Sequence, residues 1–318
     1  SVYIMQNYSR MRLGDSGSWT ILSSVENQIK EKIEASGTLL KQLDISINFG
    51  IKTGYNDAFI IDEVKRIELI SADSRSAELI RPILRGRDIR RYDFSFQNLY
   101  VIFAYFGSHM VIPERYPAIY QHLKLHENKL KERGQCRYTS SGRSNDSAGY
   151  PGQHHWLELD NNPRKENLDE FSKQKIVWAR LMRISKTEHL NFPRFALIEE
   201  NFVVQDSLCF ITGKHLPLLC ALLNSDMAIY YYFTQIASLD EGGLQMRQQY
   251  IEQFPIPDLD NEITNRIIKL LGSPLGPNDP EVRSQINQLV FELYHLNETE
   301  IRYIQSHNRN RFNAIMRR

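Results

Sequence analysis

The chain has 318 residues, enough for one large or two small domains with a sizeable core. Hydrophobic residues make up 42% and charged residues 24%, as in ordinary globular proteins, and no apolar run of about eighteen residues suggests a membrane span. A net charge of only +1 does not announce a nucleic-acid binder, so any such role must lie in how the charge is distributed.

Residues 1–17 carry little apolar pattern, no signal-peptide layout and no initiator methionine, and are expected to be a linker from an absent upstream catalytic domain. Residues 18–36 are expected to form a helix, with Ser18 as cap, Leu22, Val25, Ile29 and Ile33 on one face and Gly37 as stop. The stretch 45–61 then reads as strand, glycine-bounded turn, strand. Ile45, Ile47 and Phe49 alternate with polar residues, Gly50 and Gly54 bound the turn, and Lys52, Thr53, Tyr55 and Asn56 stand on it. A second basic stretch follows, with five arginines (Arg81, Arg85, Arg87, Arg90, Arg91) within eleven residues. Arginine suits forked contact with phosphate or guanine edges.

The apolar run 99–106 is expected to be a buried strand. Residues 115–132 look helical, with Pro117 in a first turn and Tyr116, Ile119, Tyr120, Leu123 and Leu130 on one side. Residues 133–164 are rich in Gly, Ser, Asn and Arg, with Tyr138, Tyr150 and Trp156 interleaved. This composition suits a long surface loop facing DNA, with Arg137, Arg143 and Asn145 as contacts. His154 and His155 make a weak metal signal and are assigned to the surface or to a base contact. A strand is expected at 175–181, a three-strand antiparallel meander at 195–211, and one buried helix at 215–233, whose Tyr230 to Phe233 run is assigned to packing. The loop 242–247 is expected to approach DNA. Residues 259–318 look all-helical, with Asp260 as a cap, Asp279 and Pro280 as a start signal, and Asn297 with Glu300 as a capping box. The basic tail after Glu300 is left between touching phosphates and being disordered. Cys136, Cys209 and Cys220 are odd in number and lack metal-type spacing, which suggests free thiols in a reducing cytoplasm.

Six ordered blocks carry a resemblance: Gly-Ile-Lys-Thr-Gly-Tyr-Asn-Asp-Ala-Phe-Ile-Ile-Asp (50–62), Pro-Ile-Leu-Arg-Gly-Arg-Asp-Ile-Arg-Arg-Tyr (82–92), Tyr-Pro-Ala-Ile-Tyr (116–120), Lys-Ile-Val-Trp (175–178), Leu-Leu-Asn-Ser (222–225) and Tyr-Ile-Glu-Gln-Phe-Pro-Ile-Pro (250–257). Over roughly 19–258 the chain resembles the TaqI-like C-terminal specificity domain of type IIG and Eco57I-type restriction-modification adenine methyltransferases. The resemblance implies an α+β fold: a mixed, twisted sheet with flanking helices over 18–258 as the target recognition domain, then a small helical region over 259–318. It implies sequence-specific binding of double-stranded DNA as partner, with no membrane. The residues expected to contact DNA are Lys52, Thr53, Tyr55, Asn56, Arg85, Arg87, Arg90, Arg91, Arg137, Arg143 and Asn145.

The chain has no Pro-Pro pair for an adenine methyltransferase loop and no Gly-x-Gly turn between strand and helix. No catalytic residue, metal or cofactor is therefore expected within it. S-adenosylmethionine and Mg are expected in the upstream methyltransferase and nuclease domains of the parent protein. Two alternatives stand: a protein-interaction or structural module of a phage-defence methyltransferase, and a cryptic Mg-dependent nuclease using Asp57, Glu63 and Lys65.

Overall fold

The computed structural model describes residues 23–138, 149–184, 191–199, 201–239 and 242–317. Its strands, in chain order, are β1 (Gly37–Leu39), β2 (Ile45–Phe49), β3 (Ile60–Asp62), β4 (Ile80–Leu84), β5 (Leu99–Ile102), β6 (Lys175–Ala179), β7 (Leu181–Arg183), β8 (Phe195–Ile198), β9 (Val203–Val204), β10 (Leu208–Gly213), β11 (Gly243–Gln245) and β12 (Pro255–Pro257). Helices and strands mix throughout, so the α+β expectation holds. The single expected sheet is instead divided: two four-stranded sheets, β2-β10-β6-β8 and β3-β5-β4-β9, and two two-stranded ones, β1-β12 and β11-β7.

The chain forms two compact units built from interleaved stretches. One comprises 45–181 and 194–216, the other 1–44, 182–193 and 217–318. The first unit contains both four-stranded sheets. Its core holds Phe59, Val101 to Ala104, Ile176 to Trp178, Phe195 and Phe210, all almost wholly buried. Trp178 stacks on Phe195 with ring centroids 5.8 Å apart.

Several local expectations are corrected here. The 45–61 stretch is not a hairpin. β2 pairs antiparallel with β10, while β3 pairs with β5 in the other sheet. Between them, Asn56–Phe59 forms a helical turn. The expected 195–211 meander is also absent: β8 and β10 both pair with β6, and β9 runs parallel to β4. The apolar run 99–106 is strand only through Ile102, and Phe106 is 45% exposed. The segment 115–132 breaks into Ile112–Arg115, Pro117–Lys124 and Glu127–Lys131 helices, with Pro117 in a first turn as expected and Tyr116, Ile119, Leu123 and Leu130 buried.

The second unit is mainly helical. Its Ser24–Ala35 helix is capped by Ser23, whose hydroxyl accepts from the Glu26 N–H at 3.3 Å; Ser18 lies outside the described residues. The expected helix 215–233 is two helices, Leu216–Leu223 and Asp226–Gln235, separated because Ser225 caps the second. Tyr230, Tyr232 and Phe233 are buried, as the packing assignment expected. The Glu262–Leu271 helix is capped by Asn261, not Asp260. The Pro280–Leu293 helix starts on Asp279, and Asn297 with Glu300 forms the expected capping box. The basic tail is helical through Met316, and Phe312 packs edge-on against Phe192 and Phe233. In the loop 242–247, residues 242–244 and Met246 are buried and a Cβ on Gly242 would lie 2.6 Å from Ile315 Cγ2, while Arg247 is exposed. Among the described residues no helix is long and apolar enough to cross a membrane.

Candidate nucleic-acid interface

Three loops of the first unit are knitted together by main-chain bonds. Ile51 N–H donates to Val204 O at 2.8 Å, Asp206 N–H to Ile51 O at 2.8 Å, and Gln205 N–H to Leu84 O at 2.9 Å. The turn at 49–56, the β4 exit at 84–87 and the β9–β10 connection at 205–207 therefore lie side by side. Arg180 joins them, since its N–H donates to Ser207 O at 2.9 Å and its guanidinium to Asp206 O at 3.1 Å.

Close approach at this junction requires glycine. A Cβ on Gly50 would sit 2.1 Å from Gln205 O, and Gly54, at φ +70°, would place one 2.7 Å from Arg133 Cδ. Gly86 N–H donates to Ser207 Oγ at 3.2 Å.

The side chains on this face are polar, basic or unexpectedly apolar. Asn56 is exposed; its carbonyl oxygen accepts from Thr53 Oγ1 at 2.6 Å and Gln205 Nε2 at 3.3 Å, which leaves its NH2 group as a donor. Arg87 is exposed, and among the described residues no ion pair engages it. Phe49, read as an apolar position of the alternating strand, is 54% exposed, with the Arg180 guanidinium 5.7 Å from its ring centre. Lys52 keeps about half its side chain exposed while its ammonium lies 2.7 Å from Asp160 Oδ2.

The other expected contact residues separate by burial. Thr53 and Arg91 are enclosed, at 4% and 2% exposure. Arg85 forms a two-pronged pair with buried Asp88, at 3.0 Å on each prong. Arg90 donates to Arg87 O at 2.6 Å. Tyr55 is half-buried with its ring tilted against His126. Arg137 is exposed beside Tyr138, while Arg143 and Asn145 lie outside the described residues. Arg180, Gln205 and Ser207 carried no strong signal in the sequence. Their place on this face comes from strand pairings distant in the chain.

Beneath the turn lies a buried polar network that the sequence suggested was surface loop. Arg133 is 7% exposed and donates to four carbonyl oxygens: Leu130 (3.0 Å), Thr53 (2.7 Å), Trp156 (2.8 Å) and Glu158 (2.8 Å). His154, assigned to the surface or to a base contact, is fully buried, with Nε2 3.3 Å from Asp160 Oδ1. Burial pushes the Asp160 carboxyl upward, but the His154 and Lys52 hydrogen bonds and nearby positive charge outweigh it and hold it at about 2. Glu158 is fully buried and accepts from Gly107 N–H at 2.7 Å and from the His109 ring at 2.5 Å.

His155 stacks on His109 at 4.5 Å. Burial first, then the neighbouring His109 and Lys131 charges, lower its pKa from 6.5 to about 4. The folded chain thus resists protonating His155, and the unfolded chain binds the extra proton between those values. Its contribution is present above pH 6.5 and is lost as pH falls toward 4. We expect about 1–2 kcal/mol of acid destabilisation from this half-buried ring. Urea midpoints at pH 7 and pH 4.5 should show it, and His155→Gln should shrink the difference.

Of the residues in the nuclease alternative, Asp57, Glu63 and Lys65, the last two are engaged in local ion pairs. Glu63 pairs with Arg66 at 3.1 Å and Lys65 with Glu68 at 2.5 Å, and among the described residues no metal-binding cluster of His, Cys, Asp or Glu occurs.

A family profile described as the TaqI-like C-terminal specificity domain matches residues 81–256. The chain belongs to this family. The TaqI-like match covers 84–87, Arg180 and 205–207 of the face, and starts after the 50–62 block. No curated protein matches the chain. Among solved structures, the type IIL restriction-modification enzyme MmeI in complex with DNA is similar at TM-score 0.57 and 12% identity, over 87% of this chain and 36% of that one. That likeness shows a shared fold. The type IIG restriction endonuclease BpuSI is similar at TM-score 0.45 and 16% identity, over 85% of this chain and 33% of that one. The TaqI-like chain thus spans about a third of the length of either enzyme.

Proposed function

We propose that this chain is the double-stranded DNA recognition part of a restriction-modification enzyme, and that it binds duplex DNA through the face formed by 49–56, 84–87, Arg180 and 205–207. The observation that carries this reading is the main-chain juxtaposition of the three loops that carry Lys52, Asn56, Arg87, Gln205 and Ser207, with Arg180 bonded to the last loop. Family membership and a fold shared with an enzyme solved on DNA support it.

On this reading the exposed cations anchor phosphates, and Asn56 and Gln205 face base edges, where amide side chains can make paired hydrogen bonds to adenine. Thr53, Arg85 and Arg91 shape the scaffold. Arg137 supplies a further cation beside the 139–148 segment, where Arg143 and Asn145 remain candidates. Methyl transfer and cleavage, with S-adenosylmethionine and Mg, belong to other domains of the parent protein. The chain incubated with duplex, S-adenosylmethionine and Mg should then neither methylate nor cut.

Arg87→Ala should weaken binding to all duplexes and reduce the slope of log affinity against log salt by about 1. Asn56→Ala should instead relax sequence preference at one position, by about 1–3 kcal/mol of discrimination, with the slope unchanged. Both are measured by fluorescence anisotropy across a salt series. Unchanged binding in both variants would move the DNA face elsewhere.

A further inference from the structure

The turn at 50–56 is held by Arg133 and Asp160, both buried, and by Asn161, which is exposed. Asp160 bonds Lys52 twice: its carboxylate accepts from the Lys52 ammonium at 2.7 Å, and its N–H donates to Lys52 O at 2.8 Å. Asn161 clamps the same stretch, accepting from Lys52 N–H at 2.8 Å and donating to Gly50 O at 3.3 Å. Arg133 fixes Thr53 O. Asp160 is itself 3% exposed, and His154, with no exposed surface, holds its second oxygen.

A free lysine on a surface turn samples many rotamers, and ordering it on binding costs side-chain entropy. An ammonium has three donors. With one given to Asp160, two remain for a phosphate, and the lysine meets it already placed.

We propose that Asp160 is a positioning residue for DNA binding: it pre-orders the Lys52 ammonium and the backbone of the signature turn without touching DNA. This rests on the reading of that face as the DNA site. Two opposing effects make it decidable. As a bare negative charge near DNA, Asp160 should repel phosphate, so neutralising it should strengthen binding. As a positioning group, neutralising it should weaken binding.

The test is a double-mutant cycle on the 318-residue chain, with Asp160→Asn, Lys52→Ala and the pair, binding to a 30-base-pair duplex over a salt series. The wild type is measured first: no binding by the wild type overturns the DNA reading itself, and this inference with it. If the wild type binds, Asp160→Asn should lose roughly five- to tenfold in affinity, and less than twofold when Lys52 is already Ala. Lys52→Ala should lower the salt slope by about 1, and the double variant should share that slope. Equal losses from Asp160→Asn in both backgrounds would show a merely structural role and overturn the proposal. Stronger binding by Asp160→Asn would overturn it in favour of simple repulsion. Thermal melting of each variant checks folding. Should the Asn variant not fold, Asp160→Glu keeps the charge but displaces it by one methylene. It is expected to lose two- to fivefold in affinity, again only with Lys52 present, and binding equal to wild type would overturn the proposal.

Discussion

Replacing Arg133 with Met should destabilise the unit formed by 45–181 and 194–216 by about 3–5 kcal/mol. The methionine keeps an unbranched apolar stem but ends short of the guanidinium, and it removes all four hydrogen bonds. The carbonyls of Thr53, Trp156 and Glu158 then lose a charged partner 2.7–2.8 Å away, the Thr53 and Glu158 ones at buried contacts. The cation 5.3 Å from the Phe59 ring centre also goes. Each stranded acceptor costs about 1–3 kcal/mol, partly relieved by relaxation. Trp156 and Trp178 both lie in this unit, so urea unfolding followed by tryptophan emission reports it. Arg137→Met, four residues on and exposed, is the control and should cost under about 0.5 kcal/mol. A loss below 1 kcal/mol for Arg133→Met would mean that the carbonyls find other partners.

Gly50→Ala should be nearly as severe, at about 3–4 kcal/mol, for a different reason. Its φ is one that alanine tolerates, so the obstacle is space. The added Cβ would meet Gln205 O at 2.1 Å and Val204 O at 2.5 Å, both backbone atoms. Relief requires parting the 50–52 and 204–206 segments and losing the Ile51–Val204 and Asp206–Ile51 hydrogen bonds. The same parting separates Asn56 from Gln205, so DNA binding should fall further than stability alone explains. Gly134→Ala is the matched control. It starts a helical turn with nothing within 4 Å of the new Cβ, and should be neutral or slightly stabilising. If Gly50→Ala melts with the wild type, the three-loop junction is looser than these distances imply.

Features encoded within a few residues were legible in the sequence. Asp279 with Pro280, Asn297 with Glu300 and Pro117 in its first turn each satisfy helix-end groups locally, and each stands where expected. What failed was pairing over distance. Alternation at 45–49 correctly announced a strand, but not that its partner is β10, about 160 residues on, nor that Phe49 would face outward. β9 has two residues and runs beside β4, a placement that no local pattern specifies. The interleaving of the two units has the same origin, since periodicity along the chain carries no information about which stretches meet.

The candidate site was half legible for a related reason. Glycine spacing and arginine density located the 50–56 and 85–91 stretches, because those residue types are required there. Burial then sorted the arginines, and charge type could not. Arg85 meets Asp88 and Arg91 is enclosed, while Arg87 faces out. Polar composition at 150–161 does not distinguish a solvated loop from a satisfied buried network. His154, Glu158 and Asp160 are buried because each finds a partner: Asp160 for His154, His109 for Glu158, and Lys52 for Asp160.

The most direct test of DNA recognition by the first unit is selection from a randomised duplex pool at low and near-physiological salt, run in parallel with the wild type and Arg87→Ala. The expected result is a short motif enriched by the wild type that survives the higher salt, with the Arg87 variant enriching the same motif but releasing it at lower salt. Equal retention of every duplex by both proteins, or retention of none, would contradict the proposed face.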